Sequence, residues 1–371
     1  MTARTYDTII VGGGLVGTAI AYGLVHRGER VMVLDEGDVA HRASRGNFGL
    51  VWVQGKGSGM PEYAHWTRRS ADLWGEFAGT LGERAGIDIQ HRQPGGISYC
   101  LSEQELENRR NLMHRMSNML GPDFRYEILD RKALLEMTPH IGDAVVGGCY
   151  CPHDGAANSL RLLRALHAGA GVLGVAYSPN DAVQSITFDR PGFTVRTQGG
   201  AYRAGKVVLA AGNATAGLAP MVGLSAPLRP QRGQVIVTQR VRPFLDMPTL
   251  NVRQTGEGSV MIGDSKEEVG YDDMTTPQVI STIARRAVAT FPLLRDVPVV
   301  RTWGALRVMS PDGHPIYQQS RSCPGAFVTC VHSGVTLAAA HAGPLAAAIA
   351  EGRLPVELDA LSAERFDVQA A

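Results

Sequence analysis

Two rhythms of apolar and polar positions alternate along this chain of 371 residues. Short apolar runs bounded by glycine predict buried strands, and longer stretches with apolar residues three or four apart predict amphipathic helices. The first run, Tyr6-Asp7-Thr8-Ile9-Ile10-Val11, ends in Gly12-Gly13-Gly14, and a helical stretch through His26 follows. A second run, Val31-Met32-Val33-Leu34, closes on Asp35-Glu36. Residues 61–81 predict a helix with Leu73, Phe77 and Leu81 on one face. Ser102 with Glu105 is a capping box opening a helix over 102–119. Strands are predicted at 95–101 and 125–129, and Asp130 can cap a short helix at 132–137.

A strand at 147–152 and a helix at 159–168 then resume an α/β rhythm. Residues 192–197 and 201–204 suggest a hairpin, and 206–212 a buried strand ending in small residues. Strand-like runs at 234–240, 249–254 and 259–263, with one helix at 276–290, predict an antiparallel sheet carrying a helix. The last block holds a Pro/Asp/Gly turn, a strand at 325–331 and a helix of small residues from about Gly334. The expected fold is α/β, α+β overall, with two interleaved domains. Residues 1–82, 146–226 and 303–371 form the nucleotide-binding one, and 83–145 and 227–302 the substrate one.

The chemistry begins at the glycines. In a strand–turn–helix, Gly12 permits the tight turn, Gly14 lets a pyrophosphate approach the backbone, and Gly17 lets helix and strand pack closely. Leu15 and Val16 open the helix whose free N–H groups face the phosphates. Asp35, with Glu36 beside it, ends the second strand, where a carboxylate accepts hydrogen bonds from a ribose diol. Gly169-Ala170-Gly171-Val172-Leu173-Gly174 repeats the glycine spacing with its flanks reversed, helix before and strand after. It reads as a helix end with a left-handed glycine cap. One dinucleotide site is expected.

Composition narrows the function further. Thirty-six basic and 35 acidic residues leave a net charge of +1 without long runs of either sign, which argues against nucleic acid as a partner. Residues 1–5 lead straight into the first strand, and no apolar stretch reaches membrane-spanning length, so a cytoplasmic protein without a transmembrane segment is expected. The five cysteines form no C-x-x-C pair and no metal-type cluster, so reduced thiols in packing roles and no metal are expected.

In this order the pieces resemble the D-amino-acid-oxidase-like family of FAD enzymes, which includes the glycine and sarcosine oxidases. The resemblance rests on Gly12–Gly17 with Asp35, Ala43-Ser44-Arg45-Gly46-Asn47-Phe48-Gly49, Asp154-Gly155, and the run ending Ala211-Gly212. It continues through Arg232-Gly233-Gln234, Trp303-Gly304-Ala305-Leu306-Arg307, Ser310–Pro315, and His332-Ser333-Gly334. The chain is most similar to the group holding the FAD subunits of opine oxidase, D-hydroxyproline dehydrogenase and hydrogen cyanide synthase. It departs from the family pattern at Val331, where glycine is usual, at Val308, where proline is usual, and in having Asp35 for glutamate.

The resemblance implies a Rossmann-like FAD-binding domain and an interleaved substrate domain. FAD is expected to be dissociable, because residues 303–315 offer no thiol for covalent attachment. Implied FAD contacts are Ala43, Ser44, Arg45, Asn47, Phe48, Gly49 and Leu50 in one loop, Val183, Ala211 and Gly212, Arg307, and Ser333, Gly334, Val335 and Thr336. The last four precede a helix whose N-terminus would favour negative charge on the flavin. Arg307, implied to grip a substrate carboxylate with its guanidinium fork, and His332 are the implied catalytic residues. The implied reaction oxidises the C–N bond of a small amino acid, imino acid or opine by hydride transfer to flavin N5, giving an imine. One dinucleotide site and no iron–sulfur pattern leave oxygen or a partner protein as the outlet for electrons, and the resemblance to FAD subunits of larger complexes implies partner redox subunits of a hetero-oligomer. A self-sufficient oxidase using oxygen and a non-catalytic electron-transfer subunit remain alternatives.

Overall fold

The computed structural model describes residues 4–37 and 43–370, with side chains through Asp367. Arg4–Val11 is the central strand of the larger sheet, because its residues Ile9, Ile10 and Val11 are buried and both its edges are paired. Val31–Leu34 lies parallel on one side and Ala201–Leu209 parallel on the other. Ala176–Ser178 closes one edge, and Ala326–Cys330 followed by antiparallel Ile316–Gln319 closes the other. The sequence segments 201–204 and 206–212 are thus one strand; its first half also pairs with Gly192–Thr197 as the expected hairpin.

Helix Leu15–Val25 packs on this sheet against helix Ser159–Val172 and the C-terminal helical run. Close approach requires Gly23, where a Cβ would stand 2.1 Å from the Ala342 carbonyl oxygen. The C-terminal run begins regularly only at Ala338–Ala340, after turns over 334–337. At His341–Leu345 it widens to a π-turn around Pro344, which has no N–H for the ordinary bond, and it resumes at Ala346–Ala350.

The second sheet is antiparallel, in the order Val252–Gln254, Ser259–Ile262, Arg229–Arg240, Val299–Met309. One face carries Ile236, Val252, Val260 and Ile262 against helix Pro277–Thr290 through Ile283 and Ala287. Period-two alternation turns the neighbouring positions the other way. Register pairs Gly233 with Ala305 and Val235 with Trp303, and that opposite face meets the loop after Ala43. There the Trp303 indole donates to the Gly46 carbonyl at 3.3 Å.

A three-stranded sheet, Gly96–Cys100, Gly147–Cys151, Glu127–Asp130, joins both cores. Cys149 and Cys151 share one face and one core cluster, buried as free thiols in packing positions. Helix Glu103–Leu120 is capped by the Ser102 hydroxyl, which accepts from the Glu105 N–H, and Asp130 caps Arg131–Met137 at the Ala133 N–H. Pro61–Ala85 runs a turn past the expected helix and ends on left-handed Gly86.

Candidate functional site

The strand–glycine–helix unit opens onto a cavity of about 1270 Å³, larger than the ~300–1000 Å³ of ordinary ligand pockets. Gly12 has φ +110°, and a Cβ there would lie 2.4 Å from the Ala210 carbonyl oxygen. A Cβ on Gly17 would lie 2.0 Å from the Gly12 oxygen, so Gly17 keeps the helix on the turn without lining the cavity. Gly14, Leu15 and Val16 line it. The Leu15 N–H donates to the Ser44 hydroxyl at 2.9 Å, which ties the second loop to the helix start. Asp35 accepts from the N–H groups of Gly13 (2.7 Å) and Gly37 (2.9 Å), and Glu36 stands beside it in the cavity wall. Each Asp35 oxygen keeps a lone pair for a hydroxyl donor.

Ala43, Ser44, Arg45 and Asn47 continue the wall, and Val183 stands in it near Asp35 and Tyr177. Phe48, Gly49 and Leu50 lie behind it. Phe48 packs near Gly263, and Leu50 pairs with Ala156. Gly49, at φ +86°, has no room for a Cβ beside the Ala157 carbonyl. Ala211 and Gly212 line the cavity too, with Val308, Cys330, Val331, His332 and Gly334. Ser333 accepts from the Tyr63 hydroxyl at 3.0 Å, Val335 is core, and Thr336 braces the flavin loop, its hydroxyl donating to the Leu50 carbonyl at 3.1 Å.

His332 is half-buried, and its Nδ1 is buried without a partner among the described residues. Burial, then the charges of Lys56, Arg307 and Lys266, hold its imidazole well below the ordinary range, so it is neutral at physiological pH. Arg307 projects from strand Val299–Met309 just outside the cavity lining, 16 % exposed. Its Nη1 donates to the carbonyls of Arg232 (3.2 Å) and Ser265 (2.7 Å), and its Nη2 to Asp264 (3.2 Å). The Nε–H and one Nη2–H are left over, enough to grip one carboxylate. Arg232 has a structural role, holding Glu267 at 2.8 Å and Asp272 at 2.6 Å.

Several wall residues carry no signal in the sequence. Helix Ser159–Val172, whose tail holds the reversed glycine pattern, lines the cavity through Leu163, Arg164, His167, Ala170 and Gly171. His167 Nε2 lies 2.8 Å from the Gly13 carbonyl oxygen and buttresses the true glycine turn. Gly169 and Gly171 lie inside the helix, and the left-handed residue is Gly174, at φ +92°. Tyr177, on the edge strand, stands over Gly13 and Asp35. Tyr271 and Asp273 line the mouth from a loop. Cys330, outside the 303–315 segment that offers no thiol, brings one to the cavity wall; burial pushes it up to about 12, which keeps it protonated.

A cradle of glycines, a helix start in the cavity wall, the Asp35 carboxylate, apolar lining and an orphaned imidazole in one large cavity fit FAD. The comparisons agree. The chain matches the FAD dependent oxidoreductase family over residues 7–348. It is 45 % identical over 368 residues to an opine oxidase subunit of Agrobacterium tumefaciens (strain Ach5), covering 98 % of this chain and 99 % of the relative. Hydrogen cyanide synthase subunit HcnC of Pseudomonas aeruginosa is 27 % identical over 412 residues, covering 99 % and 98 %. The crystal structure of glycine oxidase from Geobacillus kaustophilus superposes with a TM-score of 0.87 at 26 % identity, covering 97 % and 98 %. The chain therefore belongs to the FAD-dependent oxidoreductase family of D-amino-acid-oxidase type, an FAD enzyme acting on CH–NH donors.

Proposed function

We propose that this enzyme oxidises the C–N bond of a small amino acid, imino acid or opine and passes the electrons to a partner subunit. The observation carrying this reading is neutral His332 in the cavity wall, with Arg307 just outside the lining and its charge acting on the imidazole. Bound there, FAD supplies the hydride acceptor that turns an amine into a water-labile imine. Arg307 grips the substrate carboxylate with its two remaining N–H groups, which fixes the carbon bearing the amine. Neutral His332 offers Nδ1 as a hydrogen-bonding atom and does not repel an ammonium substrate. Val308 and Val331, in the places of a family proline and glycine, add apolar wall that keeps water from the reacting carbon.

The A. tumefaciens relative is by name a subunit, which supports the hetero-oligomer and the partner as electron acceptor. A cytoplasmic location is in keeping with the five unpaired thiols. FAD is held without a covalent bond on this reading, since Cys330 is protonated. The test is anaerobic bleaching of the bound flavin against D- and L-proline, hydroxyprolines, glycine, sarcosine, octopine and nopaline. Bleaching by at least one is expected, and none at all would overturn the reading. A second reading, a self-sufficient oxidase, is favoured by the superposition on glycine oxidase. Stopped-flow reoxidation of the reduced protein separates the two. Oxygen reoxidation as fast as turnover, with stoichiometric hydrogen peroxide, would replace the partner with oxygen.

A further inference from the structure

We propose that Ser70 and Trp74, on helix Pro61–Ala85, are positioning residues that raise the reduction potential of the bound FAD through the turn over residues 333–337. The inference rests on the function proposed above, in which the cofactor lies against the cavity wall that holds His332 and Gly334.

That turn offers the cavity an unused donor. Gly334 is buried in the cavity wall, and its N–H has no acceptor among the described residues. Behind it a chain of hydrogen bonds leads away from the cavity. The Ser333 carbonyl, which shares a peptide unit with the Gly334 N–H, accepts from the Leu337 N–H at 3.0 Å. The Thr336 carbonyl, which shares a peptide unit with the Leu337 N–H, accepts from two side chains at once. These are the Ser70 hydroxyl at 2.7 Å and the Trp74 indole N–H at 2.9 Å, both from wholly buried residues. The same hydroxyl accepts from the Ala340 N–H at 3.1 Å. Ser70 therefore stands inside the bond that a regular helix would form from Ala340 back to Thr336. Tyr63, on the same face of the same helix, donates to the Ser333 hydroxyl at 3.0 Å, so both ends of the turn are held.

Each bond in such a chain polarises the next, by about 10–30 % per bond. The two donors on the Thr336 carbonyl make the Leu337 N–H a stronger donor to Ser333, and through Ser333 they make the Gly334 N–H more positive toward the cavity. Flavin gains negative charge on reduction, and a preorganised N–H facing that charge favours the reduced form over the oxidised one. Geometry acts in the same direction. Without the Ser70 hydroxyl the Ala340 N–H can close directly on Thr336, which tightens the turn and moves Gly334.

The test reads the FAD-loaded protein without any substrate. Midpoint potential comes from anaerobic reduction against an indicator dye. Sulfite affinity comes from loss of the oxidised flavin band, because sulfite adds its lone pair reversibly to N5 and leaves negative charge on the ring. Ser70→Ala and Trp74→Phe are each expected to weaken sulfite binding several-fold. The double variant is expected to lose about tenfold, with the midpoint potential falling by the matching value of about 30 mV for a two-electron couple. Ser70→Thr keeps the hydroxyl and is expected to stay near wild type. Trp66→Phe is the control for packing: it removes an indole from the same helix whose N–H donates to Tyr317 at 3.1 Å and not to the turn, and both readouts should stay at wild type. Wild-type potential and sulfite affinity in the double variant, or an equal fall in Trp66→Phe, would overturn the relay. Should the double variant fail to retain FAD, Ser70→Ala set against Ser70→Thr decides. None of these outcomes alters the bleaching assay, which decides the proposed function by itself.

Discussion

Arg307 commits some of its five N–H groups to the fold and leaves others over. Three hold the Arg232 and Ser265 carbonyls and Asp264, and two remain. Arg307→Ala is therefore expected to weaken binding of a carboxylate substrate by about 2–5 kcal/mol, raising KM while FAD stays bound. An unchanged KM at normal FAD content would show that another cation orients the carboxylate. The same residue is legible in the sequence only as a candidate, because the division of its donors depends on strand register. Asp154 is a second case. It is wholly buried and accepts from the Val53 N–H at 2.5 Å and the Gln54 side chain at 2.7 Å, which orients the turn leading to Lys56. Burial pushes its carboxyl up to about 7. The folded value lies above the ordinary one of 3.8, so the neutral form stabilises the fold. That stability is fully present below about pH 4 and lost as pH rises through about 7. Thermal melts should show wild-type Tm falling between about pH 4 and 7 relative to Asp154→Asn, whose side chain does not titrate; parallel profiles would remove Asp154 from the account.

Among the elements, the glycine turn and its helix are legible in the sequence because backbone sterics act over a few residues. Gly17→Ala sets a methyl group 2.0 Å from the Gly12 oxygen. Overpacking of that kind costs about 1–3 kcal/mol, and here it pushes the helix start away from the phosphate turn. The variant is expected to purify with less FAD and to bind added FAD several-fold more weakly, measured by quenching of flavin fluorescence on titration of apoprotein. Wild-type affinity would show that the turn tolerates the shift. The helix Ser159–Val172 goes the other way. Its reversed glycines stand at the end of the helix and not before its start, yet the helix supplies Arg164, His167 and Gly171 to the same cavity. Periodicity marks which face of a helix is apolar, and says nothing of what that face will meet. The C-terminal helix likewise starts at Ala338 and not at Gly334, because the Ser333 and Val335 carbonyls are engaged in turns and Thr336 is held by Ser70, Trp74 and Leu50.

At the scale of the molecule, the two larger sheets are joined where the antiparallel one turns its Gly233, Ala305 and Trp303 face to the loop after Ala43. The thiol in the cavity wall, Cys330, is buried and pushed up to about 12, so it is a poor nucleophile. Acid denaturation is expected to release all the yellow colour into the supernatant. Colour retained in the pellet would mean that a covalent bond forms after all. Local signals in the sequence determined the strand–glycine–helix unit, the capping residues Ser102 and Asp130, the antiparallel sheet with its helix, and the family with its FAD. Each of these depends on residues a few positions apart, where sterics and hydrogen bonding leave few choices. Only the tertiary structure decided that His332, Cys330 and His167 line one cavity, with the Arg307 charge acting on His332 from just outside that lining. Those residues lie on separate strands, loops and helices, and no local spacing encodes their approach. The packing of two sheets decides it, with the electrostatics that follow from that packing.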